Sequence, residues 1–313
     1  MHSVLASIPS PTISDLTVGP FVIRFYALFI ILGIILAILV SALRLKNKGG
    51  NSGIAVDIAI WAVPFGIIGG RLFHVATHLN DYFGADKNPL SVLYVWEGGL
   101  AIYGALIFGA VGAWLGARFA GIRLMAYADA LVPGLLLAQG IGRWGNYFNS
   151  ELFGAPTTAP WGLQIDSTNA AWPVGLPAGT LMHPTFLYES LWDLLGVAVL
   201  LFVEKKFRLQ WGKLLGVYLV YYSLGRAFIE PLRLDPANIF LGIRANEWSA
   251  IGGIVLGLIV LYVQNRRHTG IETSIYLPGR EPKPAEETEA VEMATIGAED
   301  REYSTDAVDS KSE

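Results

Sequence analysis

Gly142-Arg143-Trp144-Gly145-Asn146-Tyr147-Phe148-Asn149-Ser150-Glu151-Leu152-Phe153-Gly154 follows the apolar run from Ala130 to Ile141. The order places an arginine, two asparagines and a glutamate at the end of a membrane helix. A charge at the edge of hydrocarbon is costly unless it pairs, snorkels or lines a wet cavity, so such a residue marks a functional site. Arg143 and Asn146 are three apart and share a helical face. Glu151 and Gly154 lie just beyond, where Gly145 and the polar residues predict the helix end. The same residues also fit a snorkelling arginine beside an interfacial Trp144. The rest of the chain decides between the two.

The 313 residues are 53% hydrophobic and only 15% charged. Soluble domains carry about 25% charged residues, so the composition is that of an all-α polytopic membrane protein. The absence of cysteine excludes a disulfide framework, a thiolate metal site and a thiol nucleophile on the protein itself. From residue 271 onward there are 12 acidic and 4 basic residues, whereas the first 270 carry 14 acidic and 18 basic.

Seven apolar stretches follow one another, the first long enough to cross hydrocarbon about 30 Å thick. They are expected at Phe21–Leu43, Ile54–Leu79, Val92–Arg118, Tyr127–Asn146, His183–Phe202, Leu214–Ile229 and Glu247–Val263. Asp129 reads as the N-terminal cap of the fourth, with Pro133 near its first turn. Arg71 in the second reads either as an ion-pair partner or as part of a polar path. Residues 147–182 are rich in Pro, Gly, Thr and Ala without Lys or Arg. They predict a small, partly stranded extracytoplasmic head between spans four and five. The expected division is a membrane domain over 1–267 and an acidic, disordered cytoplasmic tail over 268–313.

Basic residues orient the spans. Arg44, Lys46, Lys48, Arg118, Arg123, Lys205, Lys206, Arg208, Lys213, Arg266 and Arg267 fall on one side, against Lys87, Arg233 and Arg244 on the other. Positive residues stay inside, which places the N-terminus outside and the C-terminus in the cytoplasm. Tyr26, Arg143, Asn146, Glu151, His183, Arg226 and Glu230 then all reach the outer ends of their helices. Two arginines at headgroup depth suit a phosphodiester, because guanidinium binds phosphate in a forked geometry and keeps its charge. Glu151 and Glu230 are placed to orient them. Arg226–Glu230 also fits an ordinary i,i+4 helix pair.

Other chemistries lack their parts. There is no Gly-x-Ser-x-Gly elbow, no Ser/His pairing, no His-Glu-x-x-His and no Walker loop. His74 and His78 have metal-ligand spacing but no third ligand at matching depth, and read as interfacial histidines. No metal, cofactor or nucleic-acid partner is expected. With no nucleophile on the protein, the nucleophile belongs to a substrate and the site stabilises a phosphate leaving group.

The signature Gly142-Arg143-Trp144-Gly145-Asn146 with Glu151 and Gly154 resembles that of the bacterial prolipoprotein diacylglyceryl transferases. Tyr26, Gly69-Gly70-Arg71, Trp96-Glu97-Gly98-Gly99, His183-Pro184-Thr185 with Tyr188-Glu189, and Tyr222 through Gly225-Arg226 to Glu230 fit the family pattern in order. The resemblance covers about residues 15 to 265. It implies a seven-span enzyme of the bacterial plasma membrane. Such an enzyme moves the sn-1,2-diacylglyceryl group of phosphatidylglycerol to the lipobox cysteine thiol of a preprolipoprotein signal peptide. A thioether forms and glycerol-1-phosphate leaves.

Carried over by position, Arg143 would bind the phosphatidylglycerol phosphate, with Arg226 as second basic contact and His183 nearby. Asn146 and Glu151 would shape the site, and Tyr26 would sit where headgroup and peptide meet. Glu189 and Glu230 would hold the arginines or receive a proton. Many family members have a histidine followed by Gly-Gly-Leu in the third span. This chain has Tyr103-Gly104-Ala105-Leu106, and a tyrosine with an ordinary pKa of about 10 is a poor base at neutral pH. Either another group takes the thiol proton, or the arginine field lowers the thiol pKa. A lipid or small-solute transporter with an outer-face anion site is the rival reading. Against it stand the absence of an internal repeat and the gathering of polar residues at one face rather than the midplane.

Overall fold

The computed structural model describes residues 7–19, 21–84, 87–235 and 238–282. It begins with a hairpin, β1 (Asp15–Val18) and β2 (Phe21–Arg24), paired antiparallel. The helices are α1 (Phe25–Asn47), α2 (Ile54–Thr77), a single turn α3 (Leu79–Tyr82), α4 (Ile102–Phe119), α5 (Leu124–Phe148), α6 (Thr185–Phe207) and α7 (Lys213–Ile229). A two-residue hairpin, β3 (Ile239–Phe240) and β4 (Ile243–Arg244), leads into α8 (Ala245–Arg267). Six of these helices are long and apolar enough to cross a membrane: α1, α2, α4, α5, α6 and α8. The remaining expected span, the sixth, is α7, which is shorter at 17 residues. The chain is therefore a helical, multi-pass membrane protein. Its long helices turn Leu28, Ile31, Leu43, Ile60, Ile107 and Phe202 outward, a pattern that lipid solvates and water does not.

α1 packs on α5, α2 on α4, α5 on α6, and α7 on α8. Small residues set the close contacts. A Cβ on Gly112 would lie 2.6 Å from the Trp61 carbonyl oxygen, and one on Gly134 would lie 2.9 Å from that of Ala37. Van der Waals packing of this kind replaces the hydrophobic drive that lipid removes.

Several boundaries move from their expected places. The first helix starts at Phe25, because Phe21–Arg24 is committed to the hairpin. The helix expected from Val92 starts at Ile102. Before it come two 3-10 turns, Pro89–Leu93 and Val95–Glu97, then Gly98 and Gly99 at φ +95° and +71°. Arg71 holds this loop. Its guanidinium donates to the carbonyls of Ser91 (2.5 Å), Val92 (2.7 Å), Gly98 (2.6 Å) and Gly99 (3.2 Å). Among the described residues it has no ion-pair partner, and it acts as a buried clamp on backbone oxygens.

Asp129 also has a different task. α5 begins at Leu124, one turn before the expected start, and Arg123 at its N-cap makes no side-chain cap. The Asp129 carboxylate reaches across to the start of α7, accepting from the amides of Gly212 (2.8 Å) and Leu215 (3.1 Å). These are the donors that a helix N-terminus leaves open. A negative charge there also suits the helix dipole.

Residues up to Ile275 form one compact unit, eight residues beyond the expected boundary at 267. The segment after α8 bonds to loops of the same unit. Lys213 Nζ donates to the His268 carbonyl (3.0 Å), Trp211 Nε1 to that of Gly270 (3.0 Å), and the Glu272 amide to Gln210 Oε1 (2.7 Å). Residues 276–282 belong to a second unit, with a turn closed by the Arg280 amide on the Leu277 carbonyl at 2.9 Å. The rest of the expected acidic tail, 283–313, lies outside the described residues.

Asp129→Ala removes both acceptors of the α7 N-terminus and should cost about 1–2 kcal/mol. Thermal unfolding in neutral detergent checks this. Asp129→Asn, with one acceptor oxygen left, should fall between Ala and wild type.

Candidate active site

The site forms where α5 ends, α6 begins and α7 ends. The i,i+3 spacing brings Arg143 and Asn146 to the inward face of α5. Glu189 lies one turn into α6, and Arg226 lies in the last turn of α7. Glu189, 5% exposed, is the bridge. Its Oε2 is 3.2 Å from Arg143 Nη1 and its Oε1 is 2.6 Å from Arg226 Nη1. Arg143 also donates to the Tyr222 hydroxyl (3.4 Å). One carboxylate thus holds two guanidinium groups from two helices at a fixed separation.

Glu230 supports the far side. Its Oε2 accepts from Arg226 (2.7 Å), and its Oε1 accepts from Arg244 (3.1 Å) and Asn246 (2.8 Å). At 1% exposure the Arg226–Glu230 contact is not an ordinary surface helix pair. Arg233 Nη1 stands 3.7 Å from Glu189, and Arg233 Nε is held by Asp235 at 2.7 Å. Four arginines therefore gather around Glu189, Glu230 and Asp235. Arg233, Arg244, Asp235 and Asn246 have no signal in the spacing of the apolar runs. They lie in a loop and at the start of α8, and only the fold returns them to α7.

The loop returns through a narrow crossing. The Ala155 amide donates to the Leu232 carbonyl (2.7 Å), the Gly154 amide to that of His183 (2.9 Å), and the His183 amide to that of Ala155 (2.9 Å). Gly154 lies between the two neighbouring segments. A Cβ there would sit 2.8 Å from both His183 Cβ and the Leu232 carbonyl oxygen, closer than atoms pack without displacement. Residues 149–184 otherwise form no helix. Single bridges at Ile8–Leu163, Leu163–Met182 and Pro156–Met182 hold them, short of the strands expected there.

The expected residues fall into two groups. Arg143, Glu189, Arg226 and Glu230 are directly linked. Asn146 donates to Glu151 Oε1 (2.9 Å), and so does Asn149 (3.3 Å). Glu151 thus holds amides rather than an arginine, and its Oε2 carries no hydrogen bond from a described residue. Tyr26 lies against Gly145, where a Cβ would be 2.7 Å from Tyr26 Cδ2. It feels the charges of both Glu151 and Arg143. His183 Nδ1 pairs with the Tyr188 hydroxyl at 3.1 Å, which also accepts from Trp161 Nε1 at 3.0 Å, so it frames the site rather than joining the arginines. Tyr103 stands outside the set. Its hydroxyl hydrogen-bonds Ser249 Oγ on α8 at 2.6 Å and its ring leans on Phe73.

Asp193, one turn after Glu189, is the buried group that the sequence reading passes over. It lines a small cavity with Arg143, Glu189, Trp192, Tyr222 and Arg226. Its Oδ2 has no hydrogen-bond partner. His74 and His78 stack at 4.4 Å. No group of three or more metal-ligating side chains occurs among the described residues.

Fold and site define a class: a multi-pass helical membrane protein whose helix ends hold an arginine pair across one carboxylate. Comparison with known proteins narrows the class to a family. The family model described as prolipoprotein diacylglyceryl transferase matches residues 13–263. The chain is 52% identical over 292 residues to the phosphatidylglycerol–prolipoprotein diacylglyceryl transferase of Leifsonia xyli subsp. xyli, covering 90% of this chain and 87% of that protein. It is 46% identical over 293 residues to such a transferase, numbered 2, of Streptomyces coelicolor, covering 90% of each. With that of Paenarthrobacter aurescens it shares 46% identity over 274 residues, 85% of this chain and 86% of that protein. The chain belongs to the prolipoprotein diacylglyceryl transferase family.

Removing Glu189 would leave buried guanidinium groups facing one another. Glu189→Ala should destabilise the protein by about 3–5 kcal/mol, the usual cost of breaking a buried pair from one side. A melt in neutral detergent beside wild type measures it.

Proposed function

We propose that the chain is a seven-span enzyme, with α7 as the short sixth span and residues 149–184 as an extracytoplasmic head. The enzyme transfers the sn-1,2-diacylglyceryl group of phosphatidylglycerol to the lipobox cysteine of a preprolipoprotein. The single observation that carries the reading is Glu189 between Arg143 and Arg226. The relatives' names supply the substrates. The basic residues at the other helix ends support an inner location for the C-terminus and an outer one for the site.

In this reading the phosphodiester displaces the Glu189 oxygens from the inner edges of the two guanidinium groups. Arg143 and Arg226 then hold the phosphate in a bidentate, always-charged cradle. Tyr26, Asn146 and Glu151 border the space where the peptide arrives. The cysteine sulfur attacks the C3 carbon of the diacylglyceryl group, the carbon–oxygen bond to phosphate breaks, and its electron pair passes to the leaving phosphate oxygen. Glycerol-1-phosphate departs with one more negative charge than the diester carried. That added charge is what an arginine pair stabilises better than it stabilises the ground state. The thiol proton goes to Glu151, whose Oε2 is open. Glu189 and Glu230 are occupied by guanidinium and amide donors and serve as positioning residues. Tyr103, tied to Ser249, is no base in this scheme.

The test uses purified protein in detergent, phosphatidylglycerol and a short lipobox peptide. Peptide mass and glycerol phosphate release are followed together. The expected result is a diacylglyceryl mass gain matched by released glycerol phosphate, absent when the cysteine is replaced. Transport of label without release would instead establish the rival reading. Arg143→Ala and Arg226→Ala should each lower turnover by about 100-fold or more, and Tyr103→His should keep it within a few-fold.

A further inference from the structure

A second basic site lies at the opposite ends of α1 and α6. Arg44 and Lys48 close α1, and Lys205 and Arg208 close α6. Between them is a cavity of about 220 Å³ lined by Lys48, Glu204, Lys205 and Arg208, with Leu209 and Ile271 among its apolar walls. The nearby carboxylates are already engaged. Both Glu204 oxygens accept from Arg44 Nη2 at 2.7 Å, and Asp129 is used by the amides of α7. Positive charge is left over. Lys48 Nζ is buried and pairs with Glu204 only at 3.6 Å, with no hydrogen-bond partner among the described residues. An ammonium in that state lacks the acceptors it would have in water.

The same end of α6 carries exposed aromatic rings. Phe202 and Phe207 are each 62% exposed. Lys206 Nζ lies 5.5 Å from both ring centroids. Phe202 precedes these cationic groups along α6, toward the middle of the helix and thus on the acyl side of them.

We propose that this pocket binds the phosphate of an anionic phospholipid, as a site separate from the substrate cradle at Arg143 and Arg226. The phosphate oxygens would give Lys48 its missing acceptor, Lys205 and Arg208 would close over the headgroup, and the acyl chains would run down the Phe202 face. Basic pockets between spans recognise anionic headgroups in this way. None of its residues takes part in the transfer proposed above.

Native mass spectrometry from neutral detergent, with dioctanoyl phosphatidate as probe, tests the site on the full chain. The Lys48→Gln/Lys205→Gln/Arg208→Gln variant should hold one fewer phosphatidate than wild type, and Lys48→Gln alone should bind that lipid about tenfold more weakly. Both should retain the melting temperature and the transfer rate. The single variant decides the matter if the triple one fails to fold. An unchanged lipid count and affinity would overturn the proposal. So would equal retention of dioctanoyl phosphatidylcholine, or binding of inorganic phosphate at the pocket with no phosphatidate retained there.

Discussion

Two guanidinium groups cannot share the end of a helix bundle without something between them. Their mutual repulsion in a low dielectric would drive α5 and α7 apart, and each would lose a charged acceptor. Glu189 solves both problems from α6. It spans 3.2 Å to Arg143 and 2.6 Å to Arg226, so in the proposed transfer the carboxylate that organises the site holds the place the phosphate would take. The arrangement has a cost, because an incoming phosphate must compete with a carboxylate. It also has a benefit, because the arginines are already at the spacing that one small oxyanion sets. Preorganisation of this kind is where electrostatic catalysis gains most.

The bundle keeps this bridge in place by details remote from the chemistry. Glu230 gathers Arg226, Arg244 and Asn246, which fastens the end of α7 to the start of α8. Gly154 lets the segment after α5 pass between the segment before α6 and the loop after α7. Asp129 sets where α7 begins, since its carboxylate takes the first open amides of that helix. The first contact ties α7 to α8, the second the segments that flank α5, α6 and α7, and the third α5 to α7. A shift in any one would change the arginine spacing.

Much of this was legible before any coordinate. The apolar runs located every long helix, because lipid demands length and continuity in one stretch of chain. Arg143, Arg226 and Glu230 stood out because charge is rare in such runs, whereas Glu189 gained a role only through the family resemblance. What escaped the sequence was set by contacts between distant segments. Arg71 clamps backbone carbonyls 20 to 28 residues away, and no side-chain pattern announces a carbonyl. Asp129 had the local pattern of a cap for its own helix, yet the helix began earlier and the carboxylate served α7. Arg233 and Arg244 read only as extra positive charge in a loop, since nothing in their spacing reveals that the loop folds back onto Glu230. Glu151 read as an arginine partner, but the nearer amides of Asn146 and Asn149 claimed it.

The central claim is that the phosphate takes over the two arginines from Glu189. A structure of the protein with a phosphonate analogue of phosphatidylglycerol, whose carbon–phosphorus bond prevents transfer, tests it most directly. The account predicts phosphonate oxygens within hydrogen-bond distance of both Arg143 and Arg226, with Glu189 no longer touching both. An analogue bound elsewhere, with the Arg143–Glu189–Arg226 bridge intact, would contradict it.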